Sequence, residues 1–153
     1  MSEQEKEAIE VLVDRFRERL ISARKQVQAE IISGDNPIDT FNRYLKATAD
    51  YFHIPVETMR RNSSRKTEYR VARQIVFYFC KAGESRLPIS LQKIGELMDD
   101  VKPFDHSTVL HGRKTIAIDV VFDSELRYNV ESIAKNLGFE LIKSDKDYTI
   151  TRI

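Results

Sequence analysis

Residues 90–116 constrain the fold of this chain more than any other stretch, because two helix-start signals lie a short turn apart. Ser90 is a good N-cap for Leu91-Gln-Lys-Ile-Gly-Glu-Leu-Met98, in which Leu91, Ile94 and Leu97 or Met98 recur at helical spacing. Residues 99–104, with Pro103, make a turn. Asp105 is the N-cap of a second helix reaching Ile116, with Val109, Leu110 and Ile116 directed to the core. Short helix, turn, and second helix opening on polar residues: this is the outline of a helix-turn-helix.

The flanking segments supply helices for it to pack against. Residues 3–33 carry Ile9, Val13, Phe16, Leu20, Val27 and Ile31 at spacings of three and four, apart from one gap filled by Ala23. Acidic residues crowd the first turns, and Gly34-Asp35-Asn36-Pro37 stops the helix. Its stripe suits packing on the adjacent domain or, running for about three heptads, a homodimer. A further helix is expected over 38–52, where Phe41, Leu45, Thr48 and Phe52 share a face flanked by Tyr44 and Tyr51, and Pro55 ends the run. Residues 56–59 add a short turn, and 60–68 read as an exposed basic loop. Residues 69–81 read as a central apolar helix stopped by Ala82-Gly83. The run from Ile75 to Cys80 also suits a buried strand; the preceding Val-Ala-Arg-Gln favours helix. Asp123-Ser124 caps a helix over 125–137 closed by Gly138. Alternation on either side of 144–147 predicts a β-hairpin, which needs a supporting helix or another chain.

Composition narrows the function classes. The 153 residues fit one domain with appendages. One cysteine excludes an internal disulfide framework and a Cys-rich zinc site. The longest apolar run is six residues, far short of a membrane span, and the acidic N-terminus lacks the apolar core of a secretory signal, so a cytoplasmic protein is expected. Cys80 lies inside an apolar run, as a core residue does. His106 and His111 miss the i, i+4 spacing of a metal pair, and the adjacent Asp105 and His106 point in different directions on a helix. No Gly-x-x-x-x-Gly-Lys-Ser/Thr loop occurs. No catalytic, metal, nucleotide or cofactor site is expected.

The formal net charge of +1 argues against a nucleic-acid partner until its distribution is considered. Residues 60–73 hold Arg60, Arg61, Arg65, Lys66, Arg70 and Arg73 against Glu68 alone, a local charge of +5. The leading turn of a second helix in a helix-turn-helix can reach base edges. Asp105, His106, Ser107 and Thr108 offer there an acceptor, a mixed group and two hydroxyls, with Arg113 and Lys114 placed for a phosphate backbone. Each also has a plain structural use: Asp105 as a cap, His106 as an exposed ring, Thr108 as a donor to a backbone carbonyl.

The octapeptide Asp105-His-Ser-Thr-Val-Leu-His-Gly112 resembles the signature of the C-terminal DNA-binding domain of the bacterial replication initiator DnaA. The resemblance extends over about 38–136. Residues 44–59, with Ile54-Pro-Val, resemble that domain's first helix. Residues 65–75, ending Val-Ala-Arg-Gln-Ile, resemble its basic loop and central helix, and Leu91 to Gly95 its first helix-turn-helix element. It implies a mainly α, Trp-repressor-like helix-turn-helix domain over 37–138, with an extra N-terminal helix (1–36) and a C-terminal β-hairpin extension (139–153). It further implies that Arg65 enters the minor groove and that Asp105, His106, Thr108 and Ser107 (threonine is usual there) read bases. Arg73, Lys81 and Ser90 fall near backbone-contact positions, and Arg60, Arg61, Lys66, Arg70, Arg113 and Lys114 complete the phosphate-binding set.

Two departures stand out: the family's arginine before the Asp-His pair is Phe104, and the 99–104 turn is longer and more acidic. The expectation is a sequence-preferring binder of double-stranded DNA, a non-catalytic replication or transcription regulator, nucleoid-associated and lacking the initiator's ATPase module. The alternative is a protein-interaction module that keeps the fold without DNA, suggested by Phe104, the acidic turn and the near-zero net charge.

Overall fold

The computed structural model describes residues 2–33 and 36–153, and the side chains of 2–21 and 36–153. The chain divides into two units, 1–36 and 37–153. The first is helix α1 (Glu3–Ser33), opened by the Ser2 hydroxyl, which accepts from the Glu5 amide at 3.2 Å. Ile9, Val13, Phe16 and Leu20 are solvent-exposed. The side chains of Ala23, Val27 and Ile31 in the expected stripe, and the Gly34-Asp35 stop, lie outside what the structure describes.

In the second unit, α2 (Pro37–Phe52), α3 (Val56–Arg60), α4 (Thr67–Lys81), α5 (Leu91–Met98), α6 (His106–Phe122) and α7 (Ser124–Asn136) precede strands β1 (Phe139–Ser144) and β2 (Asp147–Arg152). The ambiguous apolar run resolves as helix. Ile75, Val76, Phe77, Tyr78, Phe79 and Cys80 are all buried, because α4 is enclosed by α2, α3, α5 and α6. Burial also pushes the Cys80 thiol up, which suits core packing and not nucleophilic chemistry. Tyr44 from α2 packs on Phe79 and donates its hydroxyl to the Ser85 carbonyl at 2.8 Å. Gly112 lets α6 approach α4: a Cβ there would lie 3.0 Å from Gln74 Cγ and 3.1 Å from Phe77 Cδ2.

The antiparallel hairpin pairs Phe139 with Arg152 through Ser144 with Asp147. It is part of the second unit's core: Phe139 and Ile150 are buried, β1 lies on α7, and β2 touches α6 and the 3₁₀ turn Gly83–Ser85. Glu84 in that turn accepts from the Arg152 amide at 2.9 Å. Among the described residues no helix is long and apolar enough to cross a membrane.

Candidate nucleic-acid interface

The turn between α5 and α6 is built around one buried carboxylate. Asp99, 2% exposed, accepts from the backbone amides of Asn62 (2.8 Å), Val101 (2.9 Å) and Lys102 (3.1 Å) and from the Arg61 guanidinium (2.9 Å). Burial opposes its ionisation, but these donors outweigh that and bring its pKa down to about 2. Two of the four donors, Asn62 and Arg61, come from the basic loop, which is thereby fastened to the helix-turn-helix turn. The Asn62 side chain adds a bond to the Lys102 carbonyl at 3.3 Å.

Three arginines of the predicted phosphate-binding set complete this fastening, and that corrects their expected role. Arg73 is 5% exposed; it donates to the carbonyls of Met59 (2.9 Å), Arg61 (3.3 Å) and Ser64 (2.9 Å) and lies over the Phe104 ring at 5.2 Å. A guanidinium so enclosed is not free for a phosphate; it shapes the loop from inside. Arg60 donates to the Met98 and Leu97 carbonyls at 3.1 and 3.2 Å, where the C-terminal end of α5 favours a cation. Arg61 pairs with Asp99, Asp100 and Glu57, and the bonds to Asp100, Asp99 and Glu57 raise its pKa. Phe104 is buried, edge-on to Phe77 at a centroid distance of 5.9 Å. Where the resemblance implied an arginine, this chain has a core residue that also provides a face for Arg73.

The close turn depends on Gly95. Its carbonyl accepts from the Phe104 amide at 3.3 Å, and a Cβ at Gly95 would sit 2.1 Å from the Phe104 carbonyl oxygen. The first turn of α6 then projects into solvent: Asp105, His106, Ser107 and Thr108 are all exposed, while Val109 is buried. Asp105 has the extended backbone of an N-cap but makes no side-chain cap bond, contrary to expectation. One oxygen instead accepts from the Ser107 hydroxyl (2.7 Å), and the other lies 2.9 Å from His106 Nδ1. The Ser107 bond is the main reason its pKa is lowered, so the carboxylate is an oriented acceptor at the helix tip.

Arg65, Lys66, Arg70 and Lys114 are exposed and Arg113 half-exposed; among the described residues none of these five side chains is held by a hydrogen bond or ion pair. Lys66 lies over the Tyr69 ring at 5.7 Å. Ser90 caps α5 by accepting from the Lys93 amide at 3.1 Å. Lys81 donates to the Ile89 carbonyl, and its pKa is lowered by burial and then by the like charges of Arg86 and Arg113. Sequence reasoning missed Arg86 and the organising parts of Asp99 and Asn62. Arg86 has no periodic signal, and Asp99 reads in the sequence only as turn acidity because the two donors that tie it to the basic loop, Asn62 and Arg61, lie 37–38 positions away.

Residues 42–116 match the family described as the bacterial DnaA protein helix-turn-helix. Similar proteins include the chromosomal replication initiator protein DnaA of Citrifermentans bemidjiense, 31% identical over 121 residues, covering 79% of this chain and 25% of the relative. The DnaA of Corynebacterium aurimucosum is 36% identical over 94 residues, covering 58% and 16%. That of Flavobacterium psychrophilum is 29% identical over 122 residues, covering 80% and 24%. The chain therefore spans a quarter or less of the length of these curated relatives. The matched residues run from α2 to Ile116 in α6 and so include the basic loop, the Asp99-centred turn and the exposed first turn of α6. Residues 42–116 of this chain thus carry the helix-turn-helix of the bacterial DnaA family.

Proposed function

We propose that the 37–153 unit binds double-stranded DNA with sequence preference and acts, without catalysis, in the regulation of replication initiation or transcription. The observation that carries this reading is the fastening of the cationic loop to the α5–α6 turn through Asp99, beside an exposed and polar first turn of α6. In this reading Arg65 enters the minor groove while Asp105, His106, Ser107 and Thr108 face base edges in the adjacent major groove. Lys66, Arg70, Arg113 and Lys114 contact phosphates, supported by the Lys81–Arg86 cluster and by Ser90 at the start of α5. Two of the features that suggested a protein-interaction module, Phe104 and the acidic turn, have structural uses in the fold, so that alternative has less to support it.

Selection of bound duplexes from a random pool, followed by titration of the selected site at several salt concentrations, tests the proposal. With about four phosphate contacts, log affinity should fall against log salt with a slope of about −4, shallower than the roughly −6 expected if Arg60, Arg61 and Arg73 were also engaged. Arg65→Ala or Thr108→Ala should weaken binding to the selected site by about 1–3 kcal/mol without lowering thermal stability. No shift of any duplex at low salt would refute DNA binding, and unchanged affinity in both variants would refute the assigned surface.

A further inference from the structure

Helix α1 carries its charge unevenly. Residues 3–14 contain Glu3, Glu5, Glu7, Glu10 and Asp14 against Lys6; residues 15–21 contain Arg15, Arg17 and Arg19 against Glu18. Along the same helix Ile9, Val13, Phe16 and Leu20 form one stripe, each 41–64% exposed. In heptad terms Ile9 and Phe16 occupy d positions, Val13 and Leu20 a positions, and Glu10 and Arg17 the flanking e positions.

Charge decides how a second copy of this helix is received. A parallel copy in register sets acidic end beside acidic end and arginines beside arginines. An antiparallel copy sets the acidic end against the arginine-rich segment. One antiparallel register satisfies the apolar and ionic positions together. With Ile9 across from Leu20 of the second copy, Val13 faces Phe16 and Glu10 faces Arg17, each pairing occurring twice by two-fold symmetry. We infer that the chain forms an antiparallel homodimer through α1, the second copy's α1 covering the exposed stripe, so that each assembly carries two copies of the 37–153 unit. The inference rests on α1 alone and stands or falls separately from DNA binding.

Sedimentation equilibrium of the full chain should show a dimer that weakens as salt screens the flanking charges. Phe16→Glu should give a monomer whose 37–153 unit melts unchanged. Orientation is read by cysteine pairing, since the native Cys80 is buried and does not compete. Mixed Ile9→Cys and Leu20→Cys chains should cross-link to each other under mild oxidation. Ile9→Cys alone should not, because eleven residues of helix separate it from its counterpart by about 16 Å. A monomer at every concentration in low salt overturns the inference, as does self-cross-linking of Ile9→Cys in preference to the mixed pair, the mark of a parallel dimer.

Discussion

Arg65 and Arg73 lie eight positions apart in the same basic stretch and have opposite surroundings. Arg65 is exposed, while Arg73 is enclosed by three carbonyls and the Phe104 ring. Counting charge along the chain cannot separate them, because burial is decided by what α4 packs against. Arg73→Ala leaves those buried acceptors without a donor, and unfolding measurements should show a loss of about 3 kcal/mol. The salt slope of DNA binding should stay unchanged in any fraction that remains folded, since this guanidinium contacts no phosphate. Asp99 gives a pH prediction of definite sign. Its carboxyl is lowered from the usual 3.8 to about 2 in the fold, so the stabilisation is present above about pH 4 and lost as pH falls toward 2. The loss should be on the order of 1–2 kcal/mol. Denaturant titrations between pH 5 and 2 on the parent and Asp99→Asn check it: the variant should be less stable near neutrality and flatter across the acid range.

At the scale of elements, the helix-turn-helix was legible because its signals are local. Ser90 does cap α5, and α6 begins at His106. Other boundaries moved by a few residues where tertiary contacts extended them. The second helix of the motif runs past Ile116 to Phe122 because Ile116 and Val120 remain on the core face. Helix α4 starts at Thr67 and not Tyr69, its first turn following Lys66 in extended conformation. The tightness of the turn lies in Gly95, whose sequence signal is only an isolated glycine inside a helical pattern. Gly95→Ala would press a methyl group into the Phe104 carbonyl and should cost about 3 kcal/mol. Gly112→Ala meets movable side chains, Gln74 and Phe77, and should cost about 1 kcal/mol. Equal losses in thermal melts of the two variants would contradict this account of the turn.

For the molecule as a whole, the hairpin is the element whose place was hardest to foresee. Its strands and turn follow from alternation, but its sequence does not state what it rests on. In the fold Ile150 is fully buried and Phe139 nearly so, with Tyr44 edge-on to Phe139 at 6.2 Å and Arg127 over the Tyr148 ring at 5.3 Å. The last strand therefore supports the same core as α4. Ile150→Ala should destabilise the 37–153 unit by about 2–5 kcal/mol, in a single transition detected alike by helical circular dichroism and tyrosine fluorescence. An early, separate hairpin transition would show that it is an appendage.

Caps, helical spacing, a breaker glycine and a two-period alternation are written within a few residues of one another, so the order and kind of elements, and the octapeptide that opens α6, were determined by the sequence. Which arginines face solvent, and which carboxylate joins the loop to the turn, depend on contacts between residues far apart in the chain. Only the packed core decided those, because hydrogen-bond geometry and burial belong to the neighbours a residue acquires on folding.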